Sequence, residues 1–184
     1  MTAVFVLVVV AIIAFFFSKN ISAFFYRKMN KAEPSPLSSS NFQIAQKFEL
    51  KKDYDRAITA YTHLIEEFPD FDAAYISIAE IYKKRKEYEN AILWLNKLYE
   101  RNKSVDTLYL ICEMYMAKGE IEKVEEILKN HYSELSEFQP IIDSYIKYKR
   151  DNDQDAYTYI KILAGSEDIK DYIRLKAKRV LSYL

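Results

Sequence analysis

The stretch KKDYDRAITAYTHLIEEFPD, residues 51–70, is written a second time as KRKEYENAILWLNKLYERNK, residues 84–103. Lys52, Tyr54, Ala57 and Ile58 recur as Lys86, Tyr88, Ala91 and Ile92, each at an offset of 34, and the acids between them exchange only Asp for Glu. Self-similarity at such a period predicts a chain built from stacked copies of one supersecondary unit. The unit is legible in the first copy. Phe42, Ile44, Ala45 and Phe48 form an apolar stripe at helical spacing, Lys51-Lys52-Asp53 breaks it, and Tyr54, Ala57, Ile58, Tyr61, Leu64 and Ile65 form a second stripe that stops before Pro69. Two short helices joined by a tight turn is one helical hairpin.

The second copy places Ile78, Ala79 and Tyr82 on its first helix and Ala91, Leu95 and Leu98 on its second, with Lys103 in place of the closing proline. A third follows 33 residues on, with Ile111, Cys112, Tyr115, Gly119, Val124 and Leu128. Gly119 falls in the turn, where a residue at positive φ is often needed. After Ser133 the pattern fades into a helix near FQPIIDSYIKYKR and another near DNDQDAYTYIKILAG, closed by Gly165, with Ala156 as the small residue of a degenerate fourth copy. A terminal helix is expected over 166–184, with Ser166 as its N-cap and Lys170, Arg174, Lys178 and Arg179 on its polar face.

This arrangement of large, small and aromatic residues resembles the tetratricopeptide repeat, a 34-residue helical hairpin. The resemblance implies an all-α right-handed solenoid over 41–184, with repeats near 38–71, 72–104, 105–136 and 137–165 and a capping helix over 166–184. It also implies a partner groove lined by the first helices. The matching positions are Phe42, Gln46 and Glu49; Ile76, Glu80 and Lys83; and Tyr109, Glu113 and Met116. Members that clamp the acidic tail of a chaperone carry Lys, Arg and Asn at such places, whereas Gln46, Glu80 and Glu113 stand here. An apolar segment flanked by basic residues suits this lining better.

The N-terminus is a different material. TAVFVLVVVAIIAFFF, residues 2–17, carries no charge, and SKNISAFFY extends it to Tyr26. A helix over 3–26 is long enough for a hydrocarbon core of ~30 Å, with Lys19 snorkelling near its end. A cleaved leader is disfavoured: no basic residue precedes the apolar run, and Ser22-Ala23 is followed by bulky aromatics. Residues 1–27 therefore read as a transmembrane anchor. Arg27, Lys28 and Lys31 place the N-terminus outside and the repeats in the cytoplasm, with a bacterial inner membrane favoured over an organelle membrane. KAEPSPLSSSN, with two prolines and four serines, reads as a linker spanning 28–40.

Composition narrows the function. Of the 184 residues, Lys+Arg and Asp+Glu are equal at 27, so the basic excess of a dedicated nucleic-acid binder is absent. Two glycines cannot build a phosphate-cradling loop. His63 and His131 have no partner at ligand spacing, and Cys112 stands at a small core position. Glu66-Glu67 and Glu125-Glu126 diverge on a helix, and Lys83-Lys84-Arg85-Lys86 runs straight into acids, so solvated faces are expected for both. No catalytic group, cofactor, metal, nucleic acid or small-molecule substrate is expected. Trp94, the one tryptophan, and Tyr99 offer an outer face. The expected role is a membrane-anchored scaffold or adaptor for protein partners, as subunit or assembly factor of a membrane complex. It is similar to anchored repeat proteins of bacterial envelope assembly. The alternative is a receptor for transient peptides, resembling anchored mitochondrial import receptors.

Overall fold

The computed structural model describes residues 36–184. The expected anchor, 1–27, and the first part of the expected linker, 28–35, lie outside the described residues. Among the described residues the chain forms nine α-helices and no strand: α1 Pro36–Leu50, α2 Tyr54–Glu67, α3 Asp72–Lys84, α4 Tyr88–Asn102, α5 Val105–Lys118, α6 Ile121–Asn130, α7 Gln139–Asp151, α8 Gln154–Gly165 and α9 Asp171–Leu181. This all-helical order is consistent with a helical repeat solenoid. None of these helices is long and apolar enough to cross a membrane.

The repeat is written in the backbone as well as in the side chains. The turn inside each hairpin holds one residue in the left-handed region: Lys52 (φ 59°), Lys86 (φ 60°), Gly119 (φ 83°) and Asn152 (φ 53°). These positions are spaced by 34, 33 and 33 residues. The first three close their helices identically. The N–H of Asp53, Glu87 and Glu120 reaches back five residues to the carbonyl of Phe48, Tyr82 and Tyr115, the longer of the two bonds that end a helix on a left-handed residue. An acid then opens the second helix each time: Asp53, Glu87, Glu120 and Asp153. Asp53 accepts from the Arg56 N–H, and Asp153 accepts from the N–H groups of Asp155 and Ala156. Even where no such bond forms, a negative charge there complements the helix dipole.

A Cβ added to Gly119 meets nothing within 4 Å. The whole cost of Gly119→Ala is therefore conformational, about 1 kcal/mol. Lys86→Gly is expected to raise stability by a similar but smaller amount, because the side chain it removes sits in the same disfavoured region. Urea melts of the two variants should move in opposite directions, and a common direction would show that the turns are not equivalent.

The chain divides into two compact units, Met1–Ile78 and Ala79–Leu184. In the first, α1 packs along α2. Ala45 and Ala57 are fully buried between them, which lets the two backbones approach, and Tyr61 and Leu64 complete the layer. Phe42 places its ring 5.4 Å from Tyr61 and 5.2 Å from Phe71. Two expectations are corrected here. Residues 36–40 are helical rather than linker, because a proline in the first turn loses no hydrogen bond that the helix needs. Ile44 is exposed, since the stripe on α1 runs through Ala45 and Phe48 instead.

In the second unit the buried apolar residues form two clusters. Ala79, Ala91, Ile92, Leu95, Ile111 and Met114 form one cluster. Tyr109, Cys112, Met116, Val124, Leu135, Phe138, Ile142 and Tyr145 belong to the other, which α8 and α9 close with Ile160, Ala177 and Val180. Tyr145 stands in α7 where the earlier copies have a small residue, and its hydroxyl donates to the Met116 carbonyl at 2.7 Å. The terminal helix begins at Asp171 rather than at 166. Ser166 instead ends α8, and its Oγ accepts from the Asp168 N–H.

Candidate functional site

In the second unit, α9 lies against α8 and also touches α5 and α7. Arg179 was expected on its solvent face beside Lys178. Consecutive helical residues point about 100° apart, and here the two part. Lys178 is exposed, and Arg179 turns inward.

There it meets Glu113. The side chain of Glu113 is only 1% exposed, and one carboxylate oxygen, Oε1, collects three donors. They are Lys83 Nζ at 2.7 Å, Arg179 Nε at 2.7 Å and the Tyr183 hydroxyl at 2.5 Å. Arg179 also pairs with Glu80, and Lys83 Nζ lies 5.2 Å from the Tyr183 ring centre. Three helices thus converge on one buried acid, α3 through Glu80 and Lys83, α5 through Glu113, and α9 with its end through Arg179 and Tyr183. Beside this cluster Lys176 is buried, its Nζ 3.9 Å from the Tyr109 ring, 4.5 Å from the Phe138 ring and 3.4 Å from Asp106.

The electrostatics follow from burial set against charge. Burial alone would raise the Glu113 pKa, but the nearby Arg179 and Lys83 charges and the donated hydrogen bonds outweigh it and hold the carboxyl below its ordinary range. Burial would discharge Arg179, and Glu113 and Glu80 overcome this and keep it protonated. Burial first, and then Glu113, lift the Tyr183 and Tyr109 hydroxyls above their ordinary value. Lys176 goes the other way: burial lowers its pKa, and Asp106 and Glu113 only partly offset that. The second oxygen of Glu113, Oε2, and the Tyr109 hydroxyl are buried with no hydrogen-bond partner among the described residues. Unpaired buried polar atoms are uncommon in folded proteins.

The expected groove residues therefore divide. Glu80, Lys83, Tyr109 and Glu113 come together, and Tyr109, Glu113 and Met116 are buried. In the first unit Gln46 is exposed, while Phe42, Glu49 and Ile76 are half-buried. Glu49 accepts from the Tyr61 hydroxyl at 3.0 Å. Lys176, Arg179 and Tyr183 were missed as site residues. Their spacing of three and four places them on one helical face, which was the available signal.

The remaining candidates have structural roles. His63 and His131 each pair with a glutamate one turn on, Glu66 and Glu134. Cys112 is buried, and desolvation pushes its thiol up to about 12, away from the reactive thiolate. Lys97 Nζ lies 4.2 Å from the Trp94 ring centre. No group of acids, histidines and cysteines among the described residues could hold a metal ion.

Residues 50–104 match the tetratricopeptide repeat. The matched stretch runs from the first turn to the end of α4, and so holds both copies of the repeated stretch, 51–70 and 84–103. Repeats of this family suggest a protein–protein interaction scaffold, and the all-helical fold is typically a non-enzymatic one. A comparison of the chain with curated proteins finds no match.

Proposed function

We propose that this chain is a scaffold or adaptor held at a membrane by its N-terminal apolar segment, and that it serves as subunit or assembly factor of a membrane protein complex. The observation that carries the reading is the matched pair of repeats, joined to two further hairpins with the same left-handed turns. The tether is inferred from the uncharged run over 2–17 and the basic residues Arg27, Lys28 and Lys31 behind it. A tether confines the repeats to a thin layer over the bilayer, which raises the effective concentration of any membrane partner. On this reading the repeats are cytoplasmic, and Gln46, exposed on α1, is open to a partner.

Purification of the full-length chain in mild detergent, with co-purifying proteins identified by mass spectrometry, tests this directly. The expected result is a stoichiometric companion that survives sizing. A monomer with only trace companions would favour the transient-receptor alternative. Recovery in the aqueous fraction without detergent would remove the tether. Gln46→Arg is then expected to weaken the companion at least tenfold without changing the melting temperature, because the side chain makes no buried contact.

A further inference from the structure

We propose that the face around Glu113 recognises a basic, tyrosine-bearing helix of the partner, and that the chain's own terminal helix α9 occupies this face as an intramolecular competitor. The inference rests on the scaffold reading above and names the chemistry of its partner.

Four observations support it. First, the face lies at first-helix positions of the repeats, which a partner would be expected to use, yet here it is engaged by a segment of the same chain. Second, the engagement is made by charged and aromatic side chains at helical spacing, Lys176, Arg179 and Tyr183, so the site already displays the pattern it selects. Third, the receiving side is acidic where it matters: Glu80 and Glu113 take Arg179, and Asp106 takes Lys176. Fourth, the resident helix leaves the site unfinished. Among the described residues Glu113 Oε2 and the Tyr109 hydroxyl have no partner, and Arg179 spends its donors on two different acids instead of both oxygens of one. An arginine presented from a different angle could grip both oxygens of Glu113, the stronger of the two geometries. Buried ion pairs add little net stability against the water they displace, so α9 is held chiefly by its apolar side, through Ala177 and Val180 in the core. Competition by α9 is strong for a different reason, its effective concentration as part of the same chain.

The probe is a fluorescent peptide of residues 166–184, SEDIKDYIRLKAKRVLSYL, added to the full chain in detergent. Binding to the unaltered chain should be weak. Binding to Arg179→Ala, where the resident helix is loosened, should be at least tenfold tighter. Adding Glu113→Gln to that variant should abolish the gain. Equal binding to the unaltered chain and the Arg179→Ala variant, or none to either, would overturn the proposal provided circular dichroism shows both folded. If Arg179→Ala does not fold, Tyr183→Phe removes only the 2.5 Å hydrogen bond to Glu113 and is judged by the same comparison, with a several-fold gain expected. A variant that elutes as a dimer without peptide would make a second copy of the chain the occupant and would also overturn it. Peptide binding with this pattern by a chain that purifies without companions would count against the membrane-complex reading alone.

Discussion

Replacing Glu113 with alanine is expected to destabilise the second unit by about 3 kcal/mol, at the low end of what breaking a buried ion pair costs. The magnitude comes from what is left behind rather than from what is lost. Glu113 is 1% exposed, and its removal takes the shared acceptor from Lys83, Arg179 and the Tyr183 hydroxyl, leaving Glu80 as the one acid beside both cations among the described residues. Lys83 and Arg179 keep 18% and 30% of their side-chain surface, so water reaches both and the penalty stays below that of a fully buried cation. Removing both partners should behave differently. Glu113→Met combined with Arg179→Met fills similar volume with apolar atoms and is expected to be near neutral, because the desolvation cost goes with the charges. Guanidinium melts of the single and double variants test this, and a double variant as unstable as the single would show that the charges are net stabilising.

The same acid sets a pH signature. Its folded pKa is depressed below the ordinary carboxylate value of 4.5. The stabilisation is therefore complete above that value and is lost as pH falls through the lower folded value. Stability of the native chain should include a loss in this acid window that Glu113→Gln lacks, and no contribution from this group should appear between pH 6 and 8.

The 34-residue periodicity makes the hairpins visible in the sequence because it constrains nearly every residue in them. A small residue must sit where helices touch, and Ala45, Ala57 and Ala91 are fully buried. The turn geometry was legible at Gly119, where the residue type itself marks positive φ. It was silent at Lys52 and Lys86, because lysine carries no such mark and the backbone there is held by the surrounding bonds, whereas Asn152 is of a type that tolerates the left-handed region. The start of α1 was misread since prolines and serines suit both linkers and first helical turns. The terminal helix was misread for a deeper reason. A polar-face argument assumes that the opposite surface is apolar, and α9 faces a buried glutamate. Only long-range pairing, 66 residues apart between Glu113 and Arg179, distinguishes a solvent-facing arginine from this one. Periodicity carries no information at that distance.

Phe138 is the second position where a large effect is expected. It is 3% exposed, just before α7, and its ring lies 4.7 Å from Tyr109 and 6.3 Å from Tyr172. Phe138→Ala should cost about 3–5 kcal/mol, the usual range for deleting a buried aromatic ring. Part of that cost belongs to Lys176, whose ammonium packs on the same ring at 4.5 Å. A buried cation on an aromatic face gains ~2 kcal/mol when water is excluded, and opening the site returns that water. A double-mutant cycle of Phe138→Ala with Lys176→Met should therefore show coupling of about 1 kcal/mol, and additive effects would mean that the ring only fills space. Alkaline titration separates the two contributions further. Burial holds the folded pKa of Lys176 below its ordinary 10.5, so between the two values the unfolded chain binds more protons and stability rises with pH. That rise should shrink in Phe138→Ala, where hydration moves the amine back towards its ordinary value, and vanish in Lys176→Met. An unchanged rise in Phe138→Ala would show that the Tyr109 ring and the surrounding helices exclude water from Lys176 without it.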